Sequence, residues 1–336
     1  MIQANVSLKP YNTFGIEVTA KAFSSFSSIN ELKSILAENN GKLPVFILGG
    51  GSNILFTKNV DALVLKNNLK GIEIVFEDDE RVDIKVGAGE VWHEFVRYTV
   101  EKGLGGLENM SLIPGSVGAS PMQNIGAYGV EVKDRFVYLE ALHLEKLELH
   151  TFTNEACEFG YRESVFKRAL KNKYLITSVT YRLSKKPVLN TSYGAIQQEL
   201  ESMHVNEINV DTISQAVMNI RNSKLPNPAE LGNAGSFFKN PVVSLSQFEQ
   251  LKAKYPSIPN YPQITDDVKL AAGWLIEQAG WKGKRLGNCG VHEKQALVLV
   301  NYGEATGNEI FELSTAVLEA VKEKFGVELE REVNIY

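Results

Sequence analysis

Four stretches of this sequence hold residue types that could do chemistry. The first is Gly49-Gly50-Gly51-Ser52-Asn53, directly after the apolar run Val45-Phe46-Ile47-Leu48. Consecutive glycines let a backbone bend sharply and approach a ligand, and successive N–H groups can form a nest for phosphate. No Gly-Lys-Ser/Thr follows and the spacing is not GxGxxG, so neither a Walker A loop nor a dinucleotide fingerprint is present. An ordinary turn reads equally well. The second stretch is IPGSVGASPMQNIGAYG, residues 113–129. Its small residues and free amides suit a flat cofactor with a pyrophosphate; a glycine-rich surface loop is the alternative. The third is FGYRESVFK, residues 159–167, which sets Arg162 among aromatics. A partly desolvated guanidinium fork binds a carboxylate strongly, whereas a surface pair with Glu163 or Glu158 would be inert. The fourth joins RNSKLP (221–226) to GSFFKNP (235–241). Ser236 has no GxSxG elbow and no evident His partner, which argues against a serine hydrolase. Its remaining catalytic use is as a proton donor, and a plain turn serine is the default.

Composition narrows the class. The 336 residues are 44% hydrophobic and 22% charged, an ordinary globular balance, and the length suggests two to three domains. Lys plus Arg is 35 against 40 Asp plus Glu, a formal net charge of −5. That balance disfavours general nucleic-acid binding, which needs clustered positive charge. Cys157 and Cys289 show no CxxC spacing and the five histidines no HExxH, so no metal site is expected. The N-terminus lacks a secretory pattern and no apolar run approaches 18 residues. A soluble cytoplasmic protein without a membrane partner is the expectation.

The elements that must position these residues follow from periodicity. Helices are expected over 29–39, over 90–102, from a cap at Asp211 to Pro226, near 269–279, and after the capping box Thr306-Gly307-Asn308-Glu309. A polar helix should follow Tyr193-Gly194. Strands are expected at 45–48, 61–66, within 71–87, within 136–152, and at 174–183, 295–300 and 327–335, the last with Val327, Leu329, Val333 and Ile335 on one face. Residues 104–130 fit neither pattern, and a structureless loop of that length is usually functional.

In order along the chain, NTFG (12–15), LGGGSNIL (48–55), IPGSVGASPMQNIGAYG (113–129), YRESVFK (161–167), RNSKLP (221–226), AGSFFKNP (234–241) and LEREV (329–333) closely resemble the MurB family. These are the UDP-N-acetylenolpyruvoylglucosamine reductases of peptidoglycan precursor synthesis. The resemblance runs from about residue 8 to residue 333, and Tyr193-Gly194 looks like the tyrosine loop of the type I form. It implies an α+β fold: a FAD-binding fold of the vanillyl-alcohol oxidase-like type, plus a C-terminal mixed α/β substrate domain. The FAD portion would comprise subdomains 1–70 and 71–205, with the tyrosine-loop insertion near 187–204. The substrate domain would be 206–336, its last strand able to return to the FAD portion.

The same resemblance implies chemistry. FAD would be bound non-covalently, since neither glycine loop holds a His or Cys, with NADPH as hydride donor and a UDP-sugar as substrate. Gly50, Gly51, Ser52 and Asn53 would hold the FAD pyrophosphate. Pro114, Gly115, Ser116, Gly118, Asn124, Ile125 and Gly126 would pack along the cofactor, and Arg221 would also bind it. Arg162, Ser236 and Glu332 would be catalytic. Tyr193, Lys224, Asn240, Lys282 and Gln295 would bind the UDP-sugar. Glu332 is preferred to Glu330 because the family pattern is Glu followed by Val; Arg331 stands where Pro is common. The reaction would reduce the enolpyruvyl group of UDP-N-acetylglucosamine enolpyruvate to the lactyl ether, with no oligomer required. Two other readings are a related FAD-dependent oxidase of a small alcohol or sugar, and a non-catalytic nucleotide-sugar sensor. A sensor would have no need to keep Arg162, Ser236 and Glu332 together.

Overall fold

The computed structural model describes residues 1–263 and 266–336. The chain forms two compact units interleaved in sequence. The first holds Met1–Val6, Ala20–Gly50 and Asp61–Ser223; the second holds Ser7–Thr19, Gly51–Val60 and Lys224–Tyr336.

Two sheets organise the first unit. One has the order Gln3–Ser7, Thr19–Phe26, Val60–Asn67, Val45–Leu48. Its last pair is parallel, with Val45 opposite Leu63 and Leu48 opposite Lys66. Helix Ile29–Asn39 lies where its periodicity places it. Ser28 caps it by accepting from the Glu31 N–H, and Asn40 ends it in the left-handed region. Leu32 and Ile35 join Leu63 and Leu65 in the core. The other sheet is antiparallel, in the order Leu149–Thr153, Phe136–His143, Tyr174–Ser184, Arg81–Gly87, Ile72–Glu77. Helix Trp92–Glu101 contributes Trp92, Phe95, Val96 and Val100 to that sheet's core. Trp92, Phe95 and Tyr181 form an aromatic cluster with ring centroids 5.3–6.2 Å apart.

The second unit carries a sheet ordered Gly232–Ser236, Val298–Asn301, Cys289–Val291, Arg285–Leu286. A three-stranded sheet follows the order Val242–Ser244, Asp267–Leu270, Asn260–Pro262. Helix Gly307–Phe325 starts on the expected capping box: Thr306 accepts from the Glu309 N–H, and Glu309 accepts from the Thr306 N–H at 2.7 Å. Gly307 is required there, because a Cβ would sit 1.7 Å from the Phe56 carbonyl oxygen.

Two expectations need correction. Asp211 is not the cap of its helix. Helix Val210–Lys224 is preceded by Asn209, whose side-chain oxygen accepts from the Asp211 and Thr212 N–H groups. Asp211 instead pairs with Arg97 at 3.0 Å. The strand expected over 327–335 shrinks to Asn334–Ile335, parallel to Ile54–Leu55, plus an isolated bridge between Arg331 and Phe238. Val327, Leu329 and Val333 are still buried whereas Ile335 is exposed, so the alternation reports burial over most of the segment rather than a continuous ladder.

Thr306→Ala removes one acceptor of the capping box without touching the core. It should cost ~1 kcal/mol of stability, read by denaturant unfolding. An unchanged midpoint would mean the box contributes nothing.

Candidate active site

In the first unit, strand Val45–Leu48 delivers Gly49 and Gly50 against the 113–118 loop. A Cβ on Gly50 would lie 2.7 Å from the Gly115 Cα, and one on Gly49 would lie 2.7 Å from the Ser116 Oγ. The Lys66 ammonium donates to the Gly49 carbonyl, and burial, with Lys70 nearby, holds its pKa below the usual lysine value. The 113–118 loop is laced to residues 88–92. Trp92 donates to the Gly115 carbonyl, Val117 to Glu90, and Gly118 to Ala88. Among the described residues, the N–H groups of Gly50, Gly115 and Ser116 donate to no protein acceptor. They form an array of backbone donors suited to an anion. Pro114 is exposed beside them. His93 accepts the Leu112 N–H on Nδ1 at 2.9 Å. Burial, with Arg97 and Arg221 close by, lowers its pKa.

Ser120 and Tyr181 share a hydrogen bond of 2.7 Å that pins the next part of the loop to the sheet. Asn124 is fully buried with a left-handed backbone, φ +44°. Ile125 donates to Ser120 and accepts from Val132. Gly126 faces Glu131 across a two-stranded ladder. Arg162 stands at the tip of a tight turn closed by Gly160 and Glu163, whose N–H groups donate to each other's carbonyls at 3.0 and 3.3 Å. Its φ is +55°, a conformation costing about 1–2 kcal/mol for a residue with a Cβ. The guanidinium donates to the carbonyls of Gly126 at 2.8 Å and Asn124 at 3.5 Å, with its carbon 5.3 Å from the Tyr161 ring centroid. Glu158 and Glu163, the expected surface partners, lie instead with Arg168.

Arg221 donates from Nε to the Leu112 carbonyl at 3.2 Å and lies close enough to the Tyr128 hydroxyl to interact with it electrostatically. Burial lowers its pKa and raises that of Tyr128. Tyr193 immediately precedes helix Gly194–Ser202, 45% exposed, and meets Tyr128 edge-on at 5.3 Å. Tyr128 was not singled out by sequence; its place inside GAYG, with φ +50°, was the available signal.

In the second unit, Gly51 has φ +66°, and a Cβ there would lie 1.9 Å from the Tyr11 carbonyl oxygen. Thr13 donates to the Gly51 carbonyl at 3.0 Å. Asn12 folds that neighbouring turn by donating to Leu8 and Ile16 and accepting from the Ile16 N–H. The NTFG motif thus shapes the wall against which Gly51 fits. Ser52 follows, and Asn53 donates to the Glu332 carbonyl at 3.4 Å and accepts from the Asn334 N–H at 3.2 Å.

Ser236 ends strand Gly232–Ser236, just past Gly235 at φ +68°. The Glu332 N–H donates to the Phe237 carbonyl at 2.8 Å, and the Lys239 N–H donates to Glu330 at 2.9 Å. Ser236 and Glu332 are thereby held on adjacent segments. The two candidate carboxylates differ: Glu330 is exposed and paired with Lys239 at 2.6 Å, whereas Glu332 is half-buried. Arg331 points away, donating to Ser314 at 2.8 Å and Thr315 at 2.7 Å over the Phe311 ring. It clamps this segment onto helix Gly307–Phe325.

The remaining substrate candidates are more dispersed within the unit. Asn240 accepts the Ala272 N–H and so caps a helix. Gln295 accepts from Leu297 at 3.3 Å, Lys282 pairs with Glu277 at 3.0 Å, and Lys224 is exposed.

Residues 227–336 match the C-terminal domain model of UDP-N-acetylenolpyruvoylglucosamine reductase, and residues 20–146 match a FAD-binding domain model. The reductase of that name from Flavobacterium johnsoniae is 56% identical over 335 residues, covering 99% of both chains. The chain belongs to the UDP-N-acetylenolpyruvoylglucosamine reductase family.

The Pseudomonas putida reductase is 50% identical over 99% of this chain and 98% of its own. The solved Thermus caldophilus MurB reductase superposes with a TM-score of 0.71 at 24% identity, covering 100% of this chain and 99% of that one. A solvent-stable cholesterol oxidase shares the fold at a TM-score of 0.50 and 11% identity, over 98% of this chain and 86% of that one. The fold is therefore the α+β FAD-binding type expected. Its residues fit FAD: backbone donors without protein acceptors, and glycines at 50 and 51 where any Cβ would collide with backbone.

Gly50→Ala would push the Gly115 backbone away. FAD affinity should fall at least about tenfold, from the strength of two or more displaced backbone donors, and the apoprotein should melt earlier as well, because the displaced atoms are backbone. Fluorescence titration of the apoprotein with FAD measures it; unchanged affinity would show that this close approach is not used.

Proposed function

We infer that this chain is an NADPH-dependent UDP-N-acetylmuramate dehydrogenase, reducing the enolpyruvyl ether of UDP-N-acetylglucosamine to the lactyl ether for peptidoglycan precursor synthesis. The observation that carries this reading furthest is full-length identity of 56% to a reductase of that name. FAD, held by the glycine loops at 49–53 and 113–118, would supply the hydride-transfer chemistry, with NADPH as the source of the electrons.

The chain's own residues handle the charge and the proton. As the terminal carbon gains its hydride, the double-bond electrons shift towards the carboxylate, which becomes an enediolate. Arg162 neutralises that charge with an oriented guanidinium. The Ser236 hydroxyl then donates its proton to the carbon bearing the ether oxygen, completing the lactyl group. Glu332, on the segment that bonds Phe237, orients the substrate carboxylate or shares a proton with it. Gly50, Gly51, Ser52 and Asn53 take the FAD pyrophosphate, and residues 114–126 with Arg221 pack along the cofactor.

Tyr193, Lys224, Asn240, Lys282 and Gln295 bind the UDP-sugar. The cofactor is held without a covalent bond. Among the described residues no helix is long and apolar enough to cross a membrane, and the UDP-sugar and NADPH place the working protein in the cytoplasm. The oxidase and sensor readings gain no support from the family match.

Acid precipitation should leave the yellow colour in the supernatant. Colour that stays with the denatured pellet would contradict non-covalent binding.

Ser236→Ala separates the two phases of turnover. Bleaching of the flavin absorbance by NADPH should proceed at a near-normal rate in rapid mixing. Its return on adding the enolpyruvyl sugar should slow by at least about 10², the usual contribution of a positioned acid. A return within a few-fold of the unmodified protein would remove Ser236 as the donor.

A further inference from the structure

Asn124 does more inside the protein than its place in the loop requires. Its carboxamide donates to the Glu131 carboxylate at 3.0 Å and to the Gly160 carbonyl at 3.1 Å, and accepts from the Lys133 N–H at 3.0 Å. Both of its donors are thus directed at protein groups. It is 0% exposed, so each bond is shielded from competing water. The Gly160 carbonyl it holds lies at the foot of the turn that carries Arg162. The two carbonyls that receive the Arg162 guanidinium, Asn124 and Gly126, lie on the same loop as the carboxamide.

Glu131 fixes the other end. Its carboxylate also pairs with Lys133 at 2.9 Å and takes part in a capping box with Asp134. Gly126 packs closely against the same segment: a Cβ there would lie 2.6 Å from the Val130 carbonyl oxygen and 2.9 Å from the Glu131 Cγ. The loop, the two-stranded ladder and the arginine turn therefore meet at one carboxamide.

We propose that Asn124 and Glu131 are positioning residues for Arg162: the Glu131 carboxylate locks the Asn124 carboxamide, which sets the distance between the arginine turn and the two carbonyls that aim its guanidinium. This rests on Arg162 acting in the sugar phase. It revises the part expected of Asn124, whose side chain serves the arginine turn rather than the cofactor. A guanidinium misplaced by about 1 Å can cost on the order of 10²-fold in rate.

The test uses the full chain loaded with FAD, in a double-variant cycle of Glu131→Ala and Arg162→Lys. Glu131→Ala should lower the sugar-phase rate by about 10- to 100-fold, leave the NADPH phase within twofold, and change kcat far more than the KM for the sugar. Glu131→Gln keeps an acceptor oxygen for Asn124 and should recover to within about threefold. In the Arg162→Lys background, Glu131→Ala should add little, because both changes act through one group. If Glu131→Ala fails to hold FAD, Glu131→Asp replaces it, too short to reach Asn124 and expected to slow the sugar phase.

Equal slowing of both phases, full additivity with Arg162→Lys, or no difference between Gln and the shorter variants would overturn the proposal. Loss of the sugar phase in the unmodified protein would instead strike the proposed function.

Discussion

Residues 104–130 contain very little regular structure, yet many of them are buried. A buried backbone has to find hydrogen-bond partners somewhere, and this requirement shapes the first unit. The loop meets it by borrowing. It gives carbonyls to, and takes them from, residues 88–92, shares the Ser120 hydroxyl with Tyr181, and turns inward at Asn124. What it leaves without a protein acceptor, the amides of Gly115 and Ser116, is what a cofactor with a pyrophosphate can use. The five-stranded sheet and helix Trp92–Glu101 supply a rigid floor for this arrangement, through an aromatic cluster that includes Tyr181.

The second unit solves a smaller problem by a related device. A serine and a carboxylate far apart in sequence are set on adjacent segments by backbone bonds from residues 237–239 to 330–332. The side chains around them are then sorted by direction. Glu330 goes out to Lys239, Arg331 goes back to helix Gly307–Phe325, and Glu332 is left half-buried. Arg331, at a position where the resemblance leads one to expect Pro, has a structural use: its guanidinium donates to two hydroxyls on the helix.

Local signals in the sequence were read well where local energetics decide. Helix 29–39 and the Thr306 capping box depend on residues within one turn of each other. Before helix Val210–Lys224 the sequence offers two good caps; Asn209 takes the role, and Asp211 pairs with Arg97. The final strand was overextended because alternating burial at Val327, Leu329 and Val333 imitates a ladder. The glycine motifs are visible in the sequence, but their spacing alone fits an ordinary turn as well; the structure adds that close backbone approach demands glycine at 50 and 51. The roles of Tyr128 and Glu131 are not legible in the sequence because they lie in contacts with Arg221 and Asn124 that only the folded loop makes. Pairing Arg162 with Glu158 or Glu163 was a reasonable surface alternative, but those carboxylates lie with Arg168.

In the proposed reaction this chain moves two electrons from NADPH into a sugar-borne double bond. The most direct measurement follows NADPH absorbance anaerobically with the purified yellow protein, with and without UDP-N-acetylglucosamine enolpyruvate, and weighs the sugar afterwards. The account predicts no sustained NADPH loss without the sugar. With it, one NADPH is consumed per sugar, whose mass rises by two hydrogens. Sustained NADPH loss without the sugar, or a sugar of unchanged mass after NADPH is consumed, would contradict it.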